Sequence, residues 1–142
     1  MSSECVTIRP ATAADAPLVA KVVLMALHYD ESHPLYDVFK ELAGRTDAQY
    51  SYCNALIAEV DGVPAGAIVG YDGGRLYELR EPLQTIMRER QGREFEIEDE
   101  TSAGEFYLDS LAVLPQFRGM GIGGKLLASA RDRAFDAGFD KV

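Results

Sequence analysis

An α/β domain is expected of this 142-residue chain on three grounds. Apolar residues between positions 18 and 27 recur at helical spacing. Two apolar runs, NALIAEV (54–60) and AGAIVGY (65–71), flank DGVP as the arms of a hairpin. A third run, EFYLDSLAV (105–113), passes through LPQFRG into a cluster of glycines and then a helix-like segment.

Taken in order, CVTIR (5–9) alternates as a short strand. RPATAADAPLV then opens a helix. Thr12 and Asp15 stand at capping-box spacing, with Asp in place of the usual Glu, and Pro17 falls in the first turns. Leu18, Val19, Val22, Val23, Ala26 and Leu27 form its apolar face. HYDESHP (28–34) breaks the pattern, and LYDVFKELA (35–43) reads as a shorter helix ending near Gly44. In the hairpin, Asp61-Gly62 suits a turn with positive φ. From 75 to 104, LYELREPLQTIMRER has partial helical periodicity broken by Pro82, and EFEIEDE (94–100) packs five acids into seven positions. The stretch from about 73 to 104 is read as an insertion with one helix and an acidic loop. GGKLLASARDRAFDAG (123–138) is a helix with Leu126, Leu127, Ala130, Ala134 and Phe135 inward. Gly138 is its C′ residue and Phe139 the accompanying Schellman contact. DKV (140–142) begins a strand.

The length suggests a single domain over 1–142. Lys and Arg number 14 against 23 Asp and Glu, a net charge of −9. Phosphate backbones need a basic face, so nucleic acid is not an expected partner; a cationic small molecule or basic peptide is. Cys5 and Cys53 give neither a zinc site nor a disulfide framework. No apolar run approaches the length of a membrane span and MSSECVTIRP is no signal peptide, so a cytoplasmic protein without membrane association is expected. His28, Asp30, Glu31 and His33 crowd one loop but lack a usual metal-ligand spacing, so no metal is expected and a solvated loop is.

Residues 116–127, QFRGMGIGGKLL, hold four glycines within six positions. Glycine takes positive φ without a Cβ penalty and lets the backbone approach a ligand closely. Successive N–H groups can then face one concavity, and the following helix adds about half a positive charge at its start. Three phosphate loops fit loosely. Gly119, Gly121 and Gly124 satisfy GxGxxG, but LPQFR separates them from the preceding strand. Gly119 to Lys125 satisfies GxxxxGK, but Leu126 follows where a magnesium-binding hydroxyl belongs. The third is a pyrophosphate loop of the acyl-coenzyme A type.

LAVLPQFRGMGIGGKLL resembles the central motif of the GNAT N-acetyltransferases, [Q/R]-x-x-G-x-[G/A], carried here by Arg118, Gly121 and Gly123. The likeness extends to the strand ending in LAV, to Pro115 and to the helix opening in LL. TIRPATAADAPLV resembles the start of that fold and AEVDGVPAGAIVG its second and third strands. It spans most of residues 6–142, weakly over 73–104. The resemblance implies a GNAT fold, a mixed and largely antiparallel sheet flanked by helices, and transfer of an acetyl group from acetyl-CoA directly to an amine. It implies that the backbone amides of Arg118, Gly119, Met120, Gly121, Ile122, Gly123 and Gly124 hold the pyrophosphate. Leu111, Ala112 and Val113 would pair with the pantetheine arm like an added strand, and an N–H there would polarise the thioester carbonyl.

An alkylammonium titrates near 10.4, so holding it as free amine at neutral pH costs about 4.6 kcal/mol, and a general base eases the step. Asp109 in FYLDSLAV is the candidate; some family members carry a glutamate at the matching place. Simple alternation puts it on the same face as Leu111 and Val113. Its other reading is a structural hydrogen-bonding or surface acid. Glu105, Glu59 and Asp61 are weaker candidates, the last two read as hairpin surface charges. In the resembled fold the loop after the first helix lines the acceptor pocket, so Tyr29, Asp30 and Glu31 are expected to contact a cationic acceptor. The family pattern normally continues with a further strand, a helix, a closing hairpin and a tyrosine that protonates the leaving thiolate. No tyrosine here takes that role by motif, and the fold is expected to be C-terminally incomplete. A second chain completing the sheet, as in a homodimer, is one alternative. The runner-up reading is a non-catalytic acyl-CoA-binding or sensing module; a third is a Rossmann-like nucleotide-binding protein.

Overall fold

The computed structural model describes residues 6–30, 32–91, 104–139 and 141–142. Four antiparallel strands lie in the order β1 (Val6–Pro10), β2 (Ala55–Val60), β3 (Val63–Asp72) and β4 (Phe106–Val113). At the outer edge of β4, Phe106 N–H donates to Lys141 O at 2.9 Å, and Glu105 bridges Lys141 in parallel. The expected strand start at DKV is thus seen at Lys141; Asp140 lies outside the described residues.

The helices α1 (Ala16–Ala26), α2 (Tyr36–Ala43) and α3 (Leu76–Gln91) and the helix α4 (Ile122–Asp136) belong to two apolar cores. In the first, Val19, Val22, Val23 and Leu24 of α1 cluster with Val38, Phe39 and Leu42 of α2, Leu83, Ile86 and Met87 of α3, and Ile57, Ala67 and Val69 of the sheet. In the second, Ile122, Leu126 and Ala130 of α4 cluster with Leu56, Ala58 and Ile68. Period-two alternation explains the division: Ile57 and Leu56, or Ala67 and Ile68, point to opposite faces.

The hairpin turn has φ 52° at Asp61 and 82° at Gly62, as a two-residue turn matching strand twist requires. At the end of α4, Gly138 (φ 96°) donates to Phe135 O at 3.0 Å and Phe139 to Ala134 O at 3.0 Å, a complete Schellman motif. The same motif ends α1 without a glycine. His28 takes φ 66° and donates to Met25 O at 3.0 Å, while Tyr29 donates to Leu24 O at 2.8 Å. The helix therefore stops at Ala26, and Leu27, expected inward, is 47% exposed.

Two further expectations are corrected. Pro82 does not break the helix of the 75–104 stretch, because α3 runs through it. The backbone bond lost to proline is offset by Leu79, Leu83, Ile86 and Met87, all buried. The acidic run 94–100 lies outside the described residues. On α4, Leu126, Ala130 and Ala134 are buried, but Leu127 and Phe135 are 43% and 49% exposed. A stripe repeating every fourth residue is narrow, and a residue one position along turns about 100° away from it.

At the start of the first helical segment Asp15 accepts from Thr12 N at 2.8 Å and from Arg9 Nη1 and Nη2 at 2.7 and 3.0 Å. These donors, Arg9 foremost, hold the Asp15 carboxyl below the ordinary range. A depressed folded value means stability that is present above the unfolded value of about 4 and lost as pH falls through the folded one. Asp15→Asn should cost about 1–2 kcal/mol at neutral pH, as lost caps and charge-assisted bonds do. In urea melts the gap from the parent should close on acidification; a gap constant with pH would contradict the assignment.

Candidate active site

Between β4 and α4 the chain makes a short 3-10 turn at Pro115–Phe117 and then the glycine turn. Gly119 (φ 87°) and Gly121 (φ 74°) adopt left-handed backbone, where a side chain would be strained. Gly123 and Gly124 are different. They lie in the first turn of α4, where glycine costs about 1 kcal/mol against alanine, and a Cβ at either would meet no atom within 4 Å. The chain's own packing therefore gives no reason for them. The first bond into the helix is Lys125 N–H to Gly121 O at 3.2 Å. Among the described residues no backbone carbonyl accepts from the amides of Gly119 to Gly124, as the start of a helix dictates. Arg118 is exposed and folds back so that Nε donates to Val113 O at 3.3 Å. Amides left without backbone acceptors at a helix start, with open space around them, are the kind of group that can bind a diphosphate.

Upstream, β4 carries a bulge. Val69 pairs with Ser110 and Gly70 with Leu108, leaving Asp109 as the extra residue. Leu108, Leu111 and Val113 all pack in the α4 core, although 108 and 111 differ by an odd number. Asp109 consequently lies on the opposite side from Leu111 and Val113, which overturns the expectation from simple alternation. There its Oδ2 accepts from Tyr71 OH at 2.8 Å and Gln49 Nε2 at 3.4 Å, and its Oδ1 from Ser110 Oγ at 3.0 Å.

These four side chains line a cavity of about 120 Å³, together with Tyr50, Arg80, Leu76 and the α1 end at Ala26 and Leu27. Tyr71 is 3% exposed. Burial, and then the Asp109 charge, hold its phenol well above the usual value, so it remains a proton donor. Gln49, Tyr71, Ser110 and Arg80 were not singled out from sequence. A tyrosine ending the apolar run AGAIVGY is a faint signal for one of them, and nothing local marks the others.

Tyr29 and Asp30 do not share that cavity. They line an adjoining surface depression with His28, Ser32 and His33. The Tyr29 and His33 rings stand 4.1 Å apart, and Asp30 Oδ1 accepts from the Ser32 hydroxyl and from Ser32 N, the latter at 2.9 Å, which together lower its proton affinity. Glu31 lies outside the described residues. Of the weaker candidates, Glu59 pairs with Arg9 Nε at 3.3 Å and Asp61 is spent on the hairpin turn. Among the described residues no group of three or more His, Cys, Asp or Glu side chains could hold a metal ion. No described helix is long and apolar enough to cross a membrane.

The model of the Acetyltransferase (GNAT) family matches residues 20–142. The chain belongs to that family. This GNAT chain is therefore an acyltransferase drawing on an acyl-CoA. A solved structure described as an acetyltransferase is 32% identical, with a TM-score of 0.77, and the match covers 94% of this chain and 76% of that one. An N-acetyltransferase from Staphylococcus aureus Mu50 shares the fold at 23% identity, with a TM-score of 0.75 over 89% of this chain and 75% of that one. A GNAT family acetyltransferase from Brucella melitensis, solved in complex with acetyl-CoA, shares it at 22% identity, with a TM-score of 0.54 over 96% and 73%. No curated protein matches. With GNAT membership the reading as a non-catalytic binding module is not favoured. The fold expected from the sequence, a mixed and largely antiparallel sheet flanked by helices, is the one observed.

Proposed function

We propose that the chain moves an acetyl group from acetyl-CoA to a primary amine of a small molecule or peptide by direct attack, with Asp109 as general base. The carrying observation is the bulge: the one β4 residue without a β3 partner is a carboxylate at a cavity, on the strand that runs into the glycine turn. The amine nitrogen would form its bond to the thioester carbonyl carbon, its proton would pass to Asp109 directly or through water, and the carbon–sulfur bond would break, its electron pair leaving with coenzyme A as a thiolate that takes a proton from solvent. Donors facing Asp109 favour its charged form, which a base needs.

In this reading the amides from Arg118 to Gly124 hold the pyrophosphate, and Leu111, Ala112 and Val113 offer backbone to the pantetheine arm. The acetyl-CoA complex of the Brucella acetyltransferase, which shares the fold, supports an acetyl donor. Tyr29 and Asp30, in the depression beside the cavity, and Glu31 would meet a cationic acceptor at its outer end; the net charge of −9 favours such a ligand.

The test is thiol release from acetyl-CoA across a panel of polyamines, aminoglycosides and peptide amines. Amine-dependent release with stoichiometric acetylated product is expected. Release that is independent of every amine would count against the proposal.

A further inference from the structure

The carboxylate at the bulge has neighbours that do more than fill space. Tyr71 comes from β3 and Gln49 from the segment between α2 and β2, and both donate to the same oxygen, Asp109 Oδ2. Both are more than nine-tenths buried, at 3% and 4% exposure. Each is fixed from its own side. Tyr71 is paired with Tyr107 in the ladder, their rings 5.8 Å apart, and it clusters with Leu76 and Leu79. Gln49 donates its backbone N–H to Leu79 O at 2.9 Å. Asp109 is the bulged residue, so the ladder does not fix its position as it fixes its neighbours. Two buried donors converging on one oxygen supply that constraint instead.

We infer that Tyr71 and Gln49 are positioning residues for the reaction, holding Asp109 ionised and aimed into the acceptor cavity. This rests on the reading of Asp109 as general base. The roles are unequal. Tyr71 makes the short bond at 2.8 Å, and Gln49 the longer one at 3.4 Å. Gln49 has a second attribute: its Oε1 is buried and has no hydrogen-bond partner among the described residues. The other titratable groups lining the cavity are Tyr50 and Arg80, with Tyr107 behind Tyr71. None of them is altered by the substitutions below.

Tyr71→Phe should lower kcat by about 10–100-fold, the loss expected for one hydrogen bond to a charged group. KM for acetyl-CoA should stay within about twofold, because the thioester site is untouched. The acid limb of kcat/KM against pH should move to higher pH, since a carboxylate that loses a donor holds its proton more tightly. Gln49→Met should shift the limb the same way by less, and it should fold readily because it also removes the unpartnered carbonyl. It therefore answers the question even if Tyr71→Phe does not fold. Wild-type kcat and an unmoved limb in both variants would overturn the inference, as would a fall in kcat with an unmoved limb and a lowered melting temperature, the mark of a structural role alone. Asp109→Asn in the same assay separates the two layers. Full turnover by Asp109→Asn removes the base reading and this inference with it. An inactive Asp109→Asn beside unaffected Tyr71→Phe and Gln49→Met removes this inference alone.

Discussion

Asp109→Asn should lower kcat by about 10²–10⁴-fold, the range for loss of a positioned general base. The substitution keeps shape and removes charge. Its side-chain carbonyl can still accept the Tyr71 hydroxyl now 2.8 Å from Asp109, so the buried phenol is not left without a partner. The melting temperature should therefore stay close to that of the parent. The acid limb of the pH profile should disappear, because an amide does not titrate. Steady-state thiol release at saturating amine, measured across pH, checks both points. The size of the effect also bears on the acceptor: the higher the amine's own pKa, the more it relies on the base, so the defect should narrow for weakly basic amines.

The second large effect is expected at Gly123. Its backbone is helical, a Cβ there meets nothing within 4 Å, and it stands in the first turn of α4. Gly123→Asp should therefore hold or raise the melting temperature, because glycine is a poor helix former and an acid in the first turn complements the helix dipole. The same carboxylate would stand where the pyrophosphate is proposed to sit. At an effective dielectric near 20, repulsion at 4–6 Å is worth about 3 kcal/mol, so KM for acetyl-CoA should rise by about 100-fold. Stability and donor binding would then move in opposite directions, which damage to the fold cannot produce. An unchanged KM would place the donor elsewhere.

Much of the scaffold was legible because its signals are local. Asp61-Gly62 named its own turn, Gly138 and Phe139 their own helix stop, and the LAV strand, Pro115 and the glycines the strand–turn–helix that matched a family. What escaped depends on distant partners. The stop at His28 has the same hydrogen bonds as the one at Gly138, but histidine gives no sign of a left-handed backbone. Pro82 sits inside a helix because four buried side chains outweigh one lost bond. The bulge at Asp109 is decided by how β4 meets β3, so alternation along β4 alone put the residue on the wrong face. For the same reason Tyr71 and Gln49, 38 and 60 positions away from Asp109, could not be tied to it.

The extra residue in β4 also bears on how such a domain can change over time. Without position 109 the strand would read Phe106, Tyr107, Leu108, Ser110, Leu111, Ala112, Val113, an unbroken two-sided pattern whose leucines still reach the α4 core and whose Ala112 still reaches the α1 core. The inserted carboxylate displaces no hydrophobic contact. Lineages could gain or shed a carboxylate here by a three-nucleotide insertion or deletion, while the sheet, and the glycine turn it feeds, carried on unaltered.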